Sequence, residues 1–275
     1  MDVNYSQVYY PSSFNELFSV WDKNPNACLY AGGTEIIWRQ AKNIPDLPDV
    51  ILSLDNIIEL RHITRTERYL EIGAMVKLNS IIWLGKTVPQ ILCTCLENIA
   101  GVQVRNLATI GGNICCSSRL LDTSAPLVAL DAQYELRKSS STRWVAASWF
   151  HSEQGTLKNG ELLTRIRLPL DKWDYSFYKR FPYSDIYNTE VLVFLAKTRK
   201  NTLIDLNIVF KGESILRNKN SEGLLIGKSL PLSRKTAVDF VENWTEFLKE
   251  RLEINDLLKN ELICCIEYNI FNLSE

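Results

Sequence analysis

Leu29-Tyr30-Ala31-Gly32-Gly33-Thr34-Glu35 and Ala108-Thr109-Ile110-Gly111-Gly112-Asn113-Ile114 are the two stretches on which the reading of this chain turns. Each follows an apolar run, and each sets a threonine and a second polar residue beside a Gly-Gly pair. A glycine pair allows a tight turn and lets the backbone come close to a ligand, because no Cβ stands between them. Backbone N–H groups in such turns form anion-binding concavities. Either loop alone is an ordinary turn, since Gly-Gly is a common turn signal. Two of them with matching chemistry argue for one ligand with more than one phosphate, gripped from two sides, and a dinucleotide fits. Neither loop is G-x-G-x-x-G and neither ends in G-K-[ST], which disfavours a Rossmann NAD site and a nucleoside triphosphatase.

Composition bounds the answer further. A chain of 275 residues holds one large domain or two ordinary ones. With 46% hydrophobic and 23% charged residues and a net charge of −1, it reads as globular, with no broad attraction for nucleic acid or an anionic membrane. No apolar run approaches the ~20 residues of a membrane span. Met1-Asp2-Val3-Asn4-Tyr5 lacks the basic start and apolar core of a signal peptide, so the expected location is cytoplasmic. The seven cysteines include adjacent pairs at 115–116 and 264–265, and no C-x-x-C spacing occurs. That pattern suits small buried hydrophobes in a reducing compartment better than disulfides or cluster ligands. Cys115 and Cys116 directly follow the second loop and are placed to line a cofactor pocket. The two histidines, His62 and His151, lie far apart and read as surface or structural. No metal site is expected. So little acid–base material implies that, in an enzyme, a bound cofactor does the chemistry.

The start of the chain reads as βαβ. Ser13-Phe14-Asn15-Glu16 is a capping box opening a helix through Trp21. Cys28-Leu29-Tyr30 is a short buried strand, Thr34 caps a helix to Arg39, Pro45 and Pro48 break the chain, and 50–54 is another strand. Strand 70–72 ends at Gly73, Asn79-Ser80 caps a helix, and the apolar spacing of 89–100 predicts a helix closed by Gly101 at C′. Residues 122–130 read as a helix, 134–137 as a strand, Ser139-Ser140-Ser141 as a loop, and 161–168 as a strand. The third block differs: strands 176–180, 191–198 and 203–210, the last two joined by a turn at Arg199-Lys200-Asn201, then helices 233–248 and 255–270. A small antiparallel sheet covered by helices is the natural arrangement, with the boundary at 170–175.

In order and spacing these motifs resemble the FAD-binding (medium) subunit of molybdenum hydroxylases, the group of xanthine dehydrogenase and carbon monoxide dehydrogenase. The stretch Tyr30-Ala31-Gly32-Gly33-Thr34-Glu35 is similar to the family's first flavin motif. Gly101-Val102-Gln103-Val104-Arg105-Asn106-Leu107-Ala108-Thr109-Ile110-Gly111-Gly112-Asn113-Ile114 is similar to its second. The run from Asp122 through Pro126 to Leu130 follows, then 162–169, Phe177-Tyr178-Lys179, and a C-terminal pattern of Gly212, Arg217, Glu222, Leu225 and Gly227. The chain departs from the pattern at Cys115-Cys116-Ser117-Ser118-Arg119, at Phe181-Pro182-Tyr183-Ser184 and at Leu216.

The resemblance implies an α+β chain with an FAD-binding fold of the vanillyl-alcohol-oxidase (PCMH) type. Its two α/β subdomains would fall at about 1–56 and 57–172, and a C-terminal domain of antiparallel sheet and helices at 173–275. It implies that Leu29, Tyr30, Ala31, Gly32, Gly33, Thr34 and Glu35 wrap the FAD pyrophosphate. Ala108, Thr109, Gly111, Gly112, Asn113 and Cys115 would form the second wall. Asp122 would bond a ribityl or ribose hydroxyl and double as a helix cap, Leu163 would pack on the flavin, and Lys179 would lie near the ring. The implied partners are a molybdopterin-binding large subunit, a 2Fe-2S small subunit, and NAD or another electron acceptor, with xanthine-type purine oxidation as the suggested chemistry. A stand-alone flavin oxidase or reductase, or a flavin-free assembly protein of the same fold, are the alternatives.

Overall fold

The structure, a computed structural model, describes residues 6–40, 48–116, 120–152, 157–181, 189–251 and 256–273. Pro45, Ser117, Ser118, Arg119, Pro182, Tyr183, Ser184 and Asn255 lie outside them. The chain divides into two compact units, Met1–Thr123 with Asp131–Leu170, and Ser124–Leu130 with Asp171–Glu275.

The first unit opens with β1 (Gln7–Tyr9) and α1 (Phe14–Lys23). Ser13 Oγ accepts from the Glu16 N–H at 3.3 Å, as a capping box requires. The Glu16 carboxylate, however, turns to Ser12 and takes both its N–H at 2.7 Å and its hydroxyl at 2.9 Å. Two donors on one residue suit a carboxylate, which has only acceptors, better than the single N–H of Ser13. Next, β2 (Cys28–Tyr30), α2 (Thr34–Gln40) and β3 (Val50–Ser53) form the expected parallel crossover, and β1 adds to the other edge of β3. Thr34 is the first residue of α2 rather than its cap.

The larger sheet of this unit has the order β4-β5-β8-β6-β7. Its strands are β4 (Ile63–Arg65), β5 (Tyr69–Gly73), β6 (Gln133–Arg137), β7 (Thr142–Ala146) and β8 (Leu162–Pro169), all antiparallel. Alternation builds it: Ile166 and Leu168 of β8 are buried with Leu70, Ile72, Tyr134 and Leu136, while Arg165 and Arg167 reach across to Glu71 at 2.7 and 2.8 Å. Between β5 and β6 run α3 (Leu78–Trp83), α4 (Gln90–Glu97), α5 (Val102–Arg105) and α6 (Ile110–Ile114), and then α7 (Ser124–Ala129), which belongs to the second unit; α8 (Ala147–Phe150) follows β7. Gly101 does not close α4. The left-handed residue is Ala100 at φ 46°, and Gly101 at φ −81° is the N-cap of α5. Arg105 compensates, because its Nη1 donates to the carbonyls of Glu97, Ile99 and Ala100 at 3.1, 2.8 and 2.5 Å.

In the second unit β9 (Tyr175–Phe181), β10 (Glu190–Arg199), β11 (Thr202–Lys211) and β12 (Ile215–Arg217) form an antiparallel sheet of order β12-β11-β10-β9. The β10–β11 turn has Lys200 at φ 48° and Asn201 at φ 58°, the doubly positive geometry that matches strand twist in tight hairpins. Helices α9 (Lys219–Leu225), α10 (Arg234–Arg251) and α11 (Asp256–Asn272) complete it. Phe194, Phe210, Phe240, Trp244, Leu262 and Ile266 form its buried centre. No helix among the described residues is long and apolar enough to cross a membrane.

Candidate functional site

The first glycine loop leaves the end of β2 and enters α2. Its register is set by Leu29 opposite Leu52 and Tyr30 opposite Ser53, and the Tyr30 carbonyl accepts from Leu54 N–H at 2.9 Å. Gly33 has φ +69°, a conformation open to glycine but strained for other residues, and the Tyr30 ring packs where its Cβ would be. Gly32 is constrained differently: a Cβ there would run into the carbonyl of Leu107. Leu107 immediately precedes the second loop, so the two glycine motifs, 75 residues apart at their second halves (Ala108 less Gly33), meet backbone to backbone.

The second loop is not a loop throughout. Residues Ile110–Ile114 form the short helix α6, capped by Thr109, whose hydroxyl accepts from Gly112 N–H at 3.1 Å. Gly111 is pressed against Ala74, and the N–H groups of Ile110 and Gly111 donate to the carbonyls of Val76 and Ala74 at 3.0 and 2.8 Å. Asn113 N–H donates to the Thr109 carbonyl at 2.9 Å. These N–H groups are therefore used by the fold. The free donors lie on the first loop: among the described residues, the N–H groups of Gly32, Gly33 and Thr34 meet no acceptor. Gly112 is exposed. A Cβ there would stand 2.9 Å from Thr109 Oγ1 and 3.9 Å from Ala31 Cβ. Packing demands glycine at Gly32 and Gly111, where a Cβ would meet backbone, and also constrains Gly112, where a Cβ would push into the Thr109 hydroxyl and touch Ala31.

The remaining expected residues fall into three groups. Asp122 is buried in the first unit, and the adjacent Thr123 hydroxyl donates to Asn113 Oδ1 of the second loop. Since α7 begins at Ser124, Asp122 stands one residue before the capping position. Ala108, Thr109 and Leu163 are buried, Leu163 on β8 in register with Leu136. Glu35 lies in the first turn of α2 and pairs with Arg39 at 3.3 Å. Cys115 follows α6, and burial pushes its thiol pKa up to about 12. Lys179 belongs to the second unit. It lies on β9, ion-paired with Glu261 of α11, and the hydrogen bond to Glu261 pushes its pKa up.

Two residues outside the sequence motifs stand out, Lys77 beside the loops and His151 against Tyr134. Lys77 donates from Nζ to the Leu107 carbonyl at 2.9 Å, and its backbone bridges Thr109. The signal that could have found it is its place just ahead of helix α3, where a capping residue is expected. His151 packs beneath the sheet with Nε2 3.1 Å from the Tyr134 hydroxyl.

A dinucleotide needs close backbone approach, free N–H donors, and carboxyl or hydroxyl partners for its sugars. The close approach of the two glycine motifs, the three donors and the neighbouring Asp122 meet that description. Over residues 3–171 the sequence matches the FAD binding domain in molybdopterin dehydrogenase. It is 32% identical over 166 residues to the xanthine dehydrogenase FAD-binding subunit of Escherichia coli O157:H7, a match that takes in 58% of this chain and 56% of that subunit. The glyceraldehyde dehydrogenase medium chain of Sulfolobus acidocaldarius is 27% identical over 225 residues, 79% of this chain and 80% of that one. In fold, the chain is similar to the crystal structure of quinoline 2-oxidoreductase from Pseudomonas putida 86, at TM-score 0.81 and 22% identity, with 100% of this chain and 98% of that one covered. The chain belongs to the family of FAD-binding domains of molybdopterin dehydrogenases, and FAD is its cofactor.

Proposed function

We propose that this chain is the FAD-carrying electron-transfer subunit of a molybdenum hydroxylase complex. In this reading a molybdopterin-binding large subunit oxidises the substrate, a 2Fe-2S small subunit passes the electrons on, and NAD or another acceptor receives them. Bound FAD supplies the exchange between one- and two-electron steps. Xanthine-type purine oxidation is the proposed substrate chemistry and the cytoplasm the proposed location. The seven cysteines, none of them in a disulfide, support that location.

The chain's own residues would bind and orient the cofactor. Leu29, Tyr30, Ala31, Gly32, Gly33, Thr34 and Glu35 form one wall of the proposed site, and Ala108, Thr109, Gly111, Gly112, Asn113 and Cys115 the other. Asp122 accepts from a sugar or ribityl hydroxyl, Leu163 excludes water, and Lys179 serves the ring. The observation that carries the reading is the set of N–H donors without acceptors at Gly32, Gly33 and Thr34, on a loop that meets the second glycine motif backbone to backbone.

The test is Gly112→Val beside Gly33→Val. A branched side chain at Gly112 must shift the Thr109 hydroxyl that caps the short α6, a local change, so the purified variant should keep near-wild-type circular dichroism and lose its flavin. Gly33→Val should lose flavin and also some stability, because of its positive φ. Full flavin loading in Gly112→Val would end the two-walled reading.

A further inference from the structure

Lys77 is the residue at which the two glycine motifs acquire a cation. Its ammonium donates to the Leu107 carbonyl, the same oxygen that a Cβ on Gly32 would strike. Its backbone forms a bridge with Thr109, the cap of α6. It therefore touches one motif through its main chain and lies one carbonyl away from the other through its side chain.

The position is an unusual one for lysine. Residue 77 is the N-cap of α3, where Ser, Thr, Asp or Asn would accept from the first turn. Lysine has three donors and no acceptor, and α3 has no side-chain cap bond. A local stabiliser has been forgone in favour of a positive charge. That charge is poorly matched by its surroundings. Asp55 attracts it, but Asp55 is bound to Arg61 at 2.8 Å, and Arg61 repels it. Burial further pushes its pKa down. The result is a half-buried ammonium, given one neutral acceptor, the Leu107 carbonyl against which Gly32 packs, and Gly32 opens the run of unsatisfied N–H groups through Gly33 and Thr34.

We propose that Lys77 is the charge-compensating residue for the cofactor's diphosphate, complementing the neutral N–H donors of the first glycine loop. The inference rests on the reading that these loops hold FAD. It predicts that Lys77 discriminates between flavins by their phosphates. Riboflavin carries none and should bind without regard to this residue.

The full-length chain, stripped of flavin, is titrated with FAD and with riboflavin by fluorescence quenching, at low and high salt. Lys77→Met should weaken FAD about ten- to a hundredfold, the range of a charge-assisted hydrogen bond. It should also flatten the salt dependence of FAD binding and leave riboflavin affinity unchanged, while Lys77→Arg should restore most of the loss. Wild-type FAD affinity and salt slope in Lys77→Met would overturn the inference while leaving the FAD site intact. Equal weakening of FAD and riboflavin would overturn it too, since Lys77 would then act through the fold. A wild-type chain that takes up no FAD would remove both this inference and the reading beneath it.

Discussion

His151 has its imidazole packed edge-on to Tyr134 and Phe150, with ring centroids 5.8 and 5.2 Å away. Burial lowers its pKa to about 4, and burial likewise holds the Tyr134 phenol above its ordinary value, so Tyr134 keeps its proton and shares a hydrogen bond with Nε2. A histidine whose folded pKa lies below its unfolded 6.5 stabilises the fold fully above pH 6.5 and loses that contribution as pH falls toward 4. The displacement is worth roughly 3 kcal/mol. Unfolding free energy should fall across this window, before Glu71 and Glu161 begin to protonate below their usual range: burial raises both, but the guanidiniums of Arg165 and Arg167 for the first and Arg143 for the second outweigh it. His151→Gln keeps a side-chain amide for Tyr134 and should flatten the slope between pH 6.5 and 4 in urea titrations. A slope equal to wild type would assign the acid sensitivity elsewhere. The sequence read His151 as surface or structural, and the packing makes it structural. It gave no hint of the Tyr134 partner, which sits 17 positions away on a neighbouring strand.

At the scale of elements, what could be read depended on period and length. The β10–β11 hairpin and the two long C-terminal helices have enough residues to show their repeat, and the structure has them; the three-residue β2 was legible instead from the glycine pair that follows it. The three-residue strands β1, β4 and β12 are too short to display one, and α6 was hidden because its Gly-Gly pair reads as a turn. Likewise Arg217 and Glu222 entered as two positions of a pattern, whereas they form one unit. Arg217 Nε lies 3.0 Å from Glu222 Oε2, and Glu222 Oε1 accepts from Ile208 N–H at 2.7 Å, tying β12 and α9 to β11. Their side chains are 11% and 3% exposed, so removing one partner strands the other. Burial already raises the Glu222 pKa against the pull of Arg217. Arg217→Met should cost about 3–5 kcal/mol in chemical denaturation, and Arg217→Met with Glu222→Leu should recover most of it. Additive losses in the double variant would show that the two act separately.

For the whole molecule, the question is whether the chain can oxidise a substrate by itself. Hydroxylation with oxygen from water needs a metal centre or a strong base beside the substrate. Two groups that follow the second glycine loop do not supply the base: Cys115, pushed up to about 12, stays a thiol at pH 7, and His151, pushed down to about 4, is too weak a base. The glycine loops supply binding, and the flavin can take electrons only from a donor delivered to it. The isolated, FAD-loaded chain should therefore be bleached by dithionite but not by xanthine or an aldehyde under anaerobic conditions. Co-expressed with a molybdopterin subunit and a 2Fe-2S subunit of this family, it should co-purify with both, and the same substrates should then bleach the flavin band. Each half of the outcome carries weight. Bleaching of the isolated chain by xanthine or an aldehyde would make it a flavoenzyme in its own right. Failure of the assembled complex to reduce the flavin with any purine or aldehyde would remove the electron relay, while leaving the FAD site to be judged by Gly112→Val alone.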